Sequence, residues 1–207
     1  MVVGDAMRSY YDARAAEYDD WWLGTGLFAD RDRPGWDAEV RALIRVVAAL
    51  PPVRTLDVAC GTAFLTRHLR GDVTALDQSP RMVEIARGRM PDATVVQGDA
   101  VPLPFPDGAF DRVVTGHFYG HLLEDERRAF LAEARRVAPT LVVIDSAPRA
   151  GSGREEWQER VLDDGTRHRV YKRFFRGADL AAELGGGKVL HDGAWFTVVS
   201  ATASRGA

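Results

Sequence analysis

The chain has 207 residues, 46% hydrophobic and 28% charged, a size and balance that suit one ordinary globular domain and exclude disorder, collagen and coiled coil. With 27 basic against 30 acidic residues its formal charge is -3, which disfavours a dedicated nucleic-acid binder and favours a small-molecule partner. One cysteine, Cys60, can close no internal disulfide and fits a reducing cytoplasm as a small buried residue; residues 1–5 lack the features of a secretion signal, and charges such as Arg45 interrupt the apolar stretches, so neither export nor a membrane span is expected.

Tyr11, Ala15 and Tyr18 recur at helical spacing and predict a first helix over 7–22. Gly24, Gly26, Pro34 and Gly35 mark a loop over 23–35, and helical patterning resumes over 37–50 until Pro51 and Pro52 stop it. Strand-like and helical runs then alternate: strand 55–58, a helix from about Thr62, strand 73–76, a helix opened by Ser79 as N-cap and Pro80 in its first turn, and strand 94–96. Prolines at 102, 104 and 106 exclude a helix over 101–108. Strand 111–115, helix 125–137 and the apolar strand 140–144 follow. Residues 149–153 read as a flexible joint, leading to a short helix over 155–162 and a polar extended run over 166–175, together an inserted flap. Helix 178–184, the stop at Gly185, Gly186 and Gly187, and strands 188–190 and 195–201 joined by Asp192 and Gly193 complete the chain. This alternation predicts an α/β fold with a parallel sheet and crossover helices. It is read as a single domain, 1–207, with a helical cap (1–52), a core (53–148), the flap (149–176) and a terminal helix with a strand pair (177–207).

Ligands of such sheets bind beyond the carboxyl ends of the central strands. There the sequence places Asp57, Asp77 and Asp99, with Gly116 and His117 after the fourth strand, so three carboxylates face one cleft. Gly61 stands nearly alone in the first turn, without the glycine fingerprint that a pyrophosphate requires. Asp77 follows Asp57 by 20 residues, the usual offset of a ribose-binding acid, so adenosine without phosphates fits better than a dinucleotide.

The run Leu56-Asp57-Val58-Ala59-Cys60-Gly61-Thr62 resembles motif I of class I S-adenosylmethionine (SAM)-dependent methyltransferases, in the type 11 branch that includes the ubiquinone/menaquinone-biosynthesis enzymes. Leu76-Asp77-Gln78-Ser79-Pro80-Arg81-Met82 resembles the ribose motif of that family, Gln97-Gly98-Asp99-Ala100 its adenine motif, and Phe110-Asp111-Arg112-Val113-Val114 its fourth-strand motif. The resemblance implies a Rossmann-like, mostly parallel seven-stranded sheet with an antiparallel last strand and helices on both faces. It implies SAM as cofactor and S-adenosylhomocysteine (SAH) as product. Carried over by match, Asp57 and Gly61 hold the methionine end, Asp77 accepts both ribose hydroxyls, Asp99 and the Ala100 amide read the adenine, and Met82 lines its slot; Tyr18, Ala59, Gln78 and Gly116 complete the expected cofactor set. Two departures stand out. Ala59 and Ala63 occupy positions where glycine is usual, and Arg136-Val137-Ala138-Pro139 lacks the usual Gly-Gly, so altered affinity is expected more than lost binding.

For chemistry, His117 and His121 are the candidate general bases, with His121 preferred because its pairing with Leu122 matches the family pattern; a basic limb with a pKa near 6–7 is the expectation. Four residues apart, they also have zinc-pair spacing, but no third ligand stands at matching spacing and no metal is expected. Trp21, Trp22 and Trp36 read as packing anchors. In the flap, period-two geometry puts Arg167, Arg169, Tyr171 and Arg173 on one face and His168, Val170, Lys172 and Phe174 on the other. Tyr10, Tyr11, Tyr171 and Arg173 are the candidate acceptor-binding residues, for an anionic aromatic small molecule. The bland reading has the flap arginines paired with Glu155, Glu156, Glu159, Asp163 and Asp164 on the surface. The functional expectation is a SAM-dependent methyltransferase; the alternatives are a non-catalytic SAM-binding module and an NAD-dependent oxidoreductase.

Overall fold

A strand covered on both faces is buried at every position, as β1 (Thr55–Val58) is, with its polar members Thr55 and Asp57 buried beside Leu56 and Val58. In the computed structural model, which describes residues 5–149, 151 and 153–203, it lies at the centre of a seven-stranded sheet. The start of the leader reading, 1–4, and two residues of the expected joint, Ala150 and Ser152, fall outside the described residues. Parallel to β1 on one side run β2 (Val73–Asp77) and then β3 (Thr94–Gln97); on the other run β4 (Arg112–Gly116) and β5 (Thr140–Ser146). A separate two-stranded antiparallel hairpin comprises β6 (Glu155–Val161) and β7 (Arg167–Arg173). The chain then returns as β8 (Lys188–Asp192) and β9 (Phe196–Thr202), and β9 adds antiparallel to β5, giving the order β3-β2-β1-β4-β5-β9-β8. The expected mostly parallel sheet with an antiparallel last strand is what forms.

Helix α1 (Asp5–Arg14), a 3-10 turn at Ala15–Glu17 and the short α2 (Asp20–Leu23) replace the single helix expected over 7–22. Helix α3 (Trp36–Ala49) buries Val40, Leu43 and Val47 against Val142, Ile144 and Val198 of the sheet. Helix α4 (Pro80–Arg89) begins as its cap predicts: Ser79 Oγ accepts the Met82 N–H at 3.2 Å, with Pro80 in the first turn. Helices α5 (Glu124–Val137) and α6 (Gly177–Glu183) share a second core with the sheet, Phe130 and Leu180 meeting Leu56, Val113 and Val143. No helix among the described residues is long and apolar enough to cross a membrane.

Two expected helices do not form. After β1 the chain coils through Ala59, Gly61 and Ala63, all left-handed, and makes only a 3-10 turn at Thr66–His68, because alternating left-handed residues cannot propagate an α-helix. Residues 155–161 are strand, since β7 supplies seven register partners, from Glu155 opposite Arg173 to Val161 opposite Arg167. Pairing overrides the helix propensity of Glu and Gln.

Candidate active site

Beyond the carboxyl ends of β1–β4 opens a cleft of about 660 Å³. Tyr18, Ala59, Gly61, Asp77, Gln78, Met82, Asp99, Ala100 and Gly116 line it, together with Tyr11, His117 and His121. Asp77 sits at its middle, 6% exposed, its Oδ2 accepting the Gly61 N–H at 2.8 Å and its Oδ1 the Ser79 N–H at 2.9 Å. One carboxylate thereby fixes the turn after β1 to the start of α4. Burial raises its pKa to about 6 against the pull of these N–H bonds. Ala59 (φ 58°), Gly61 (φ 55°) and Ala63 (φ 63°) give the turn its coil, and a Cβ on Gly61 would stand 3.3 Å from the Tyr18 ring, so Tyr18 packs directly on the turn. Asp57 lies elsewhere: it borders a smaller cavity behind the turn beside Trp22 and Phe64. Its Oδ2 accepts the Thr66 hydroxyl at 2.6 Å, its buried Oδ1 has no partner, and burial pushes its pKa up to about 7.

The N-terminal segment closes over this cleft through two acids. Asp12 accepts from Ser79 Oγ at 2.7 Å and from the Arg81 N–H at 3.1 Å; Asp19 accepts from Thr62 Oγ1 at 2.6 Å and pairs with Arg89 at 2.6 Å. Tyr10 is 2% exposed and packs with Leu162 and Val170 of the hairpin, joining the N-terminal segment to the hairpin outside the cleft, whereas Tyr11 lines it.

On the hairpin the expected two faces form, with their roles exchanged. Tyr171 and Arg173 turn away from the cleft: the Tyr171 hydroxyl donates to Glu155 at 2.8 Å, and Arg173 pairs with Glu183 at 2.9 Å and Glu155 at 3.6 Å. Arg167 pairs with Glu159, in line with the surface-pairing reading. The other face brings Arg160 and Lys172 to a second cavity of about 370 Å³, which shares Tyr11, Tyr18, His117 and His121 with the cleft and adds Arg14, Trp21 and Ser146. Sequence reasoning passed over Arg14 and Arg160 altogether and left Lys172 without a role. A signal was present for Lys172: the lone acid Asp145 interrupts the apolar run of β5, and a buried charge needs a partner. That partner is Lys172, whose ammonium meets fully buried Asp145 while Asp145 also accepts the Gly120 N–H at 2.7 Å. Burial would raise the Asp145 pKa, but Lys172 wins and keeps the carboxyl below its ordinary range. A Cβ on Gly120 would lie 2.6 Å from the Arg173 carbonyl oxygen, so this contact requires glycine.

Both histidines are neutral at physiological pH. His117, left-handed at φ 55°, places Nδ1 3.3 Å from Ser146 Oγ and its ring edge-on to Trp21 and Trp22, and burial followed by the Lys172 charge lowers its pKa to about 3. His121 Nδ1 lies 2.7 Å from the Tyr171 carbonyl, which only accepts, so Nδ1 carries the hydrogen and Nε2 keeps its lone pair. Burial and Lys172 hold His121 well below the usual range too. Neither histidine can therefore produce the expected basic limb at pH 6–7: removal from water and a nearby cation displace both titrations to acid.

Residues 56–139 match the methyltransferase-domain family. The demethylmenaquinone methyltransferase of Thermotoga maritima is 33% identical over 123 residues, 55% of this chain and 53% of that protein. Ajmaline N-methyltransferase of Rauvolfia serpentina is 33% identical over 128 residues, 54% of this chain and 43% of that protein, so the chain spans about half the length of the curated relatives it matches. Among solved structures, the DhpI–SAH complex superposes with a TM-score of 0.76 at 29% identity, covering 97% of both chains.

Proposed function

We propose, for a chain that belongs to the class I SAM-dependent methyltransferases, that it transfers the methyl group of SAM to a small anionic acceptor held between the N-terminal segment and the β6–β7 hairpin. The observation that carries this reading is a cation-bearing cavity that shares Tyr11, Tyr18, His117 and His121 with the acid-lined cleft. A module that only bound SAM has no use for such a cavity, and an NAD enzyme needs the glycine fingerprint this turn lacks.

The cleft residues suit SAM in chemistry and in order. Exposed Asp99 and the Ala100 amide stand at the end suited to adenine, buried Asp77 at the ribose, and the Gly61 turn at the methionine end. When bound, SAM supplies an electrophilic methyl on a sulfonium. The protein's task is then alignment and exclusion of water, since displacement at a sulfonium neutralises charge and proceeds best in a dry, fixed geometry. Tyr11, Tyr18 and Trp21 wall the acceptor cavity and suit an aromatic body, while His121 Nε2 is an acceptor at the junction of cavity and cleft. In place of Tyr10, Tyr171 and Arg173, the acceptor set in this reading is Tyr11, Arg14, Trp21, Arg160 and Lys172.

Calorimetric titration tests the cofactor half. Asp77→Asn should weaken SAM at least about tenfold, because charge-assisted bonds contribute roughly 1.5–3 kcal/mol each, and Asp99→Ala should cost less because its carboxylate is exposed and an amide remains. Unchanged SAM affinity in Asp77→Asn would falsify this site.

A further inference from the structure

Three cationic side chains, Arg14, Arg160 and Lys172, face the cavity between α1 and the hairpin, and among the described residues no carboxylate lines it. Lys172 is neutralised by Asp145. The two arginines are not: among the described residues neither has a carboxylate at ion-pair distance. Arg14 lies over the rings of Tyr18 at 5.0 Å and Tyr10 at 5.8 Å, and Arg160 donates to the side-chain oxygen of Gln158. Both guanidiniums are half-buried. Proteins pair the charges they withdraw from water, so two uncompensated guanidiniums beside a cofactor cleft mark the seat of an anion. Burial and the neighbouring cations Arg14 and Arg31 make Arg160 easier to deprotonate than a free arginine, a tension an anion would relieve.

The cavity is also a junction. It meets the cofactor cleft at Tyr11, Tyr18, His117 and His121, and on its other side it shares Trp21, Ser146, Arg160 and Lys172 with a larger vestibule of about 880 Å³. Trp36, Trp195 and Arg33 help to wall that vestibule, with the Arg33 guanidinium 4.1 Å from the Trp36 ring centre. Anything whose charged end rests on Arg14 and Arg160 thus has that end next to the cofactor and its body towards the tryptophans.

We propose that Arg14 and Arg160, assisted by Lys172, form an oxyanion subsite, and that the anion they hold is itself the group methylated: the acceptor is an organic acid that enters through the tryptophan-lined vestibule, and the product is its methyl ester. The inference rests on the methyltransferase reading above. A lone pair of the acid oxygen forms the new O–CH3 bond while the S–CH3 bond breaks and its electron pair stays on sulfur, giving SAH. The negative acid and the positive sulfonium cancel, and no proton moves. A general base is unnecessary, which agrees with the failure of either histidine to sit near neutrality; His121 Nε2 is left with a role in shaping the junction. An amine acceptor would have a proton to lose and would face two guanidiniums that repel its charged form.

Because the acid loses its charge on the way to product, the arginine contacts are stronger in the ground state than in the transition state, so their removal falls on binding more than on turnover. The experiment is calorimetry on the full chain saturated with SAH, with acetate, benzoate and inorganic phosphate as probes and benzylamine as the cationic control, followed by methyl transfer from labelled SAM to the same compounds. At least one anion should bind, Arg160→Gln should weaken it by about tenfold or more with SAM affinity held within about twofold, and Arg160→Lys should recover part of the loss. For the best acid substrate, Arg160→Gln should raise KM about tenfold and change kcat by less than about threefold. If SAH binds but no anion does, or if benzylamine is the compound bound or methylated, the oxyanion subsite is wrong. If neither SAM nor SAH binds, the methyltransferase reading falls first and this inference with it.

Discussion

Ala59 and Ala63 hold left-handed φ angles of 58° and 63° in the turn that carries the cofactor site. A Cβ in that region costs roughly 1–2 kcal/mol, part of which a glycine would return to greater freedom in the unfolded chain. Ala59→Gly should therefore raise stability by about 0.5–1 kcal/mol in urea unfolding, and Ala63→Gly by less, since its methyl is fully buried and leaves a void. A loss of stability in Ala59→Gly would show that the strain is relieved in a way the φ angle does not reveal. Asp57 raises a second question at this scale, because its folded pKa of about 7 lies above that of an unfolded aspartate. The folded state binds more protons than the unfolded between those values, so the destabilisation grows as pH rises from about 4 to 7 and is complete above that. Asp57→Asn in the cofactor-free protein should melt higher than the parent at pH 8, with an advantage that shrinks below pH 7 and vanishes near pH 4. Melting curves with the same difference at pH 8 and pH 4 would contradict the assignment.

The hairpin is the element whose identity depended most on its surroundings. Glu155, Glu156, Gln158 and Glu159 favour helix locally, and only the seven-residue register with β7 converts them to strand. Once formed, the hairpin is anchored to the core by a fully buried ion pair, Lys172 with Asp145, and by His121 Nδ1 on the Tyr171 carbonyl. Removing the hairpin as a whole would strand Asp145 and disturb folding as well as the acceptor cavity, so a double-mutant cycle is the sharper test. Lys172→Met alone should destabilise by about 3–5 kcal/mol because it leaves a buried carboxylate without its cation, and adding Asp145→Asn should restore much of that loss. Additive single effects would mean the pair does not couple hairpin to sheet. The N-terminal segment behaves similarly. The 3.6-residue pattern of Tyr11, Ala15 and Tyr18 suggested one helix, but the chain bends twice, and in the bent form Asp12 reaches Ser79 and Asp19 reaches Thr62 and Arg89.

At the scale of the molecule the cleft lies where strand order reverses, between β2 and β4 on either side of β1, the usual ligand position in open parallel sheets. If SAM binds only the folded chain, at 100 times its dissociation constant it should add about 2.7 kcal/mol to stability, whereas NAD should add nothing. A scanning melt in which NAD stabilises and SAM does not would reverse the choice of cofactor. The local chemistry of the sequence was enough to determine the alternating sheet, the start of α4 at Ser79 and Pro80, and the acids at the strand ends, because hydrophobic period, proline geometry and motif spacing act over a few residues. Which carboxylate faces the cleft was not so determined: Asp77 does and Asp57 does not, a difference made by the coil of the turn between them. The tertiary structure alone decided that a chain of net charge -3 gathers Arg14, Arg160 and Lys172 around one cavity, and that two histidines four residues apart stay neutral there. Those properties come from segments tens of residues or more apart meeting out of water, where burial and neighbouring charge, neither of them written in local sequence, set what each side chain can do.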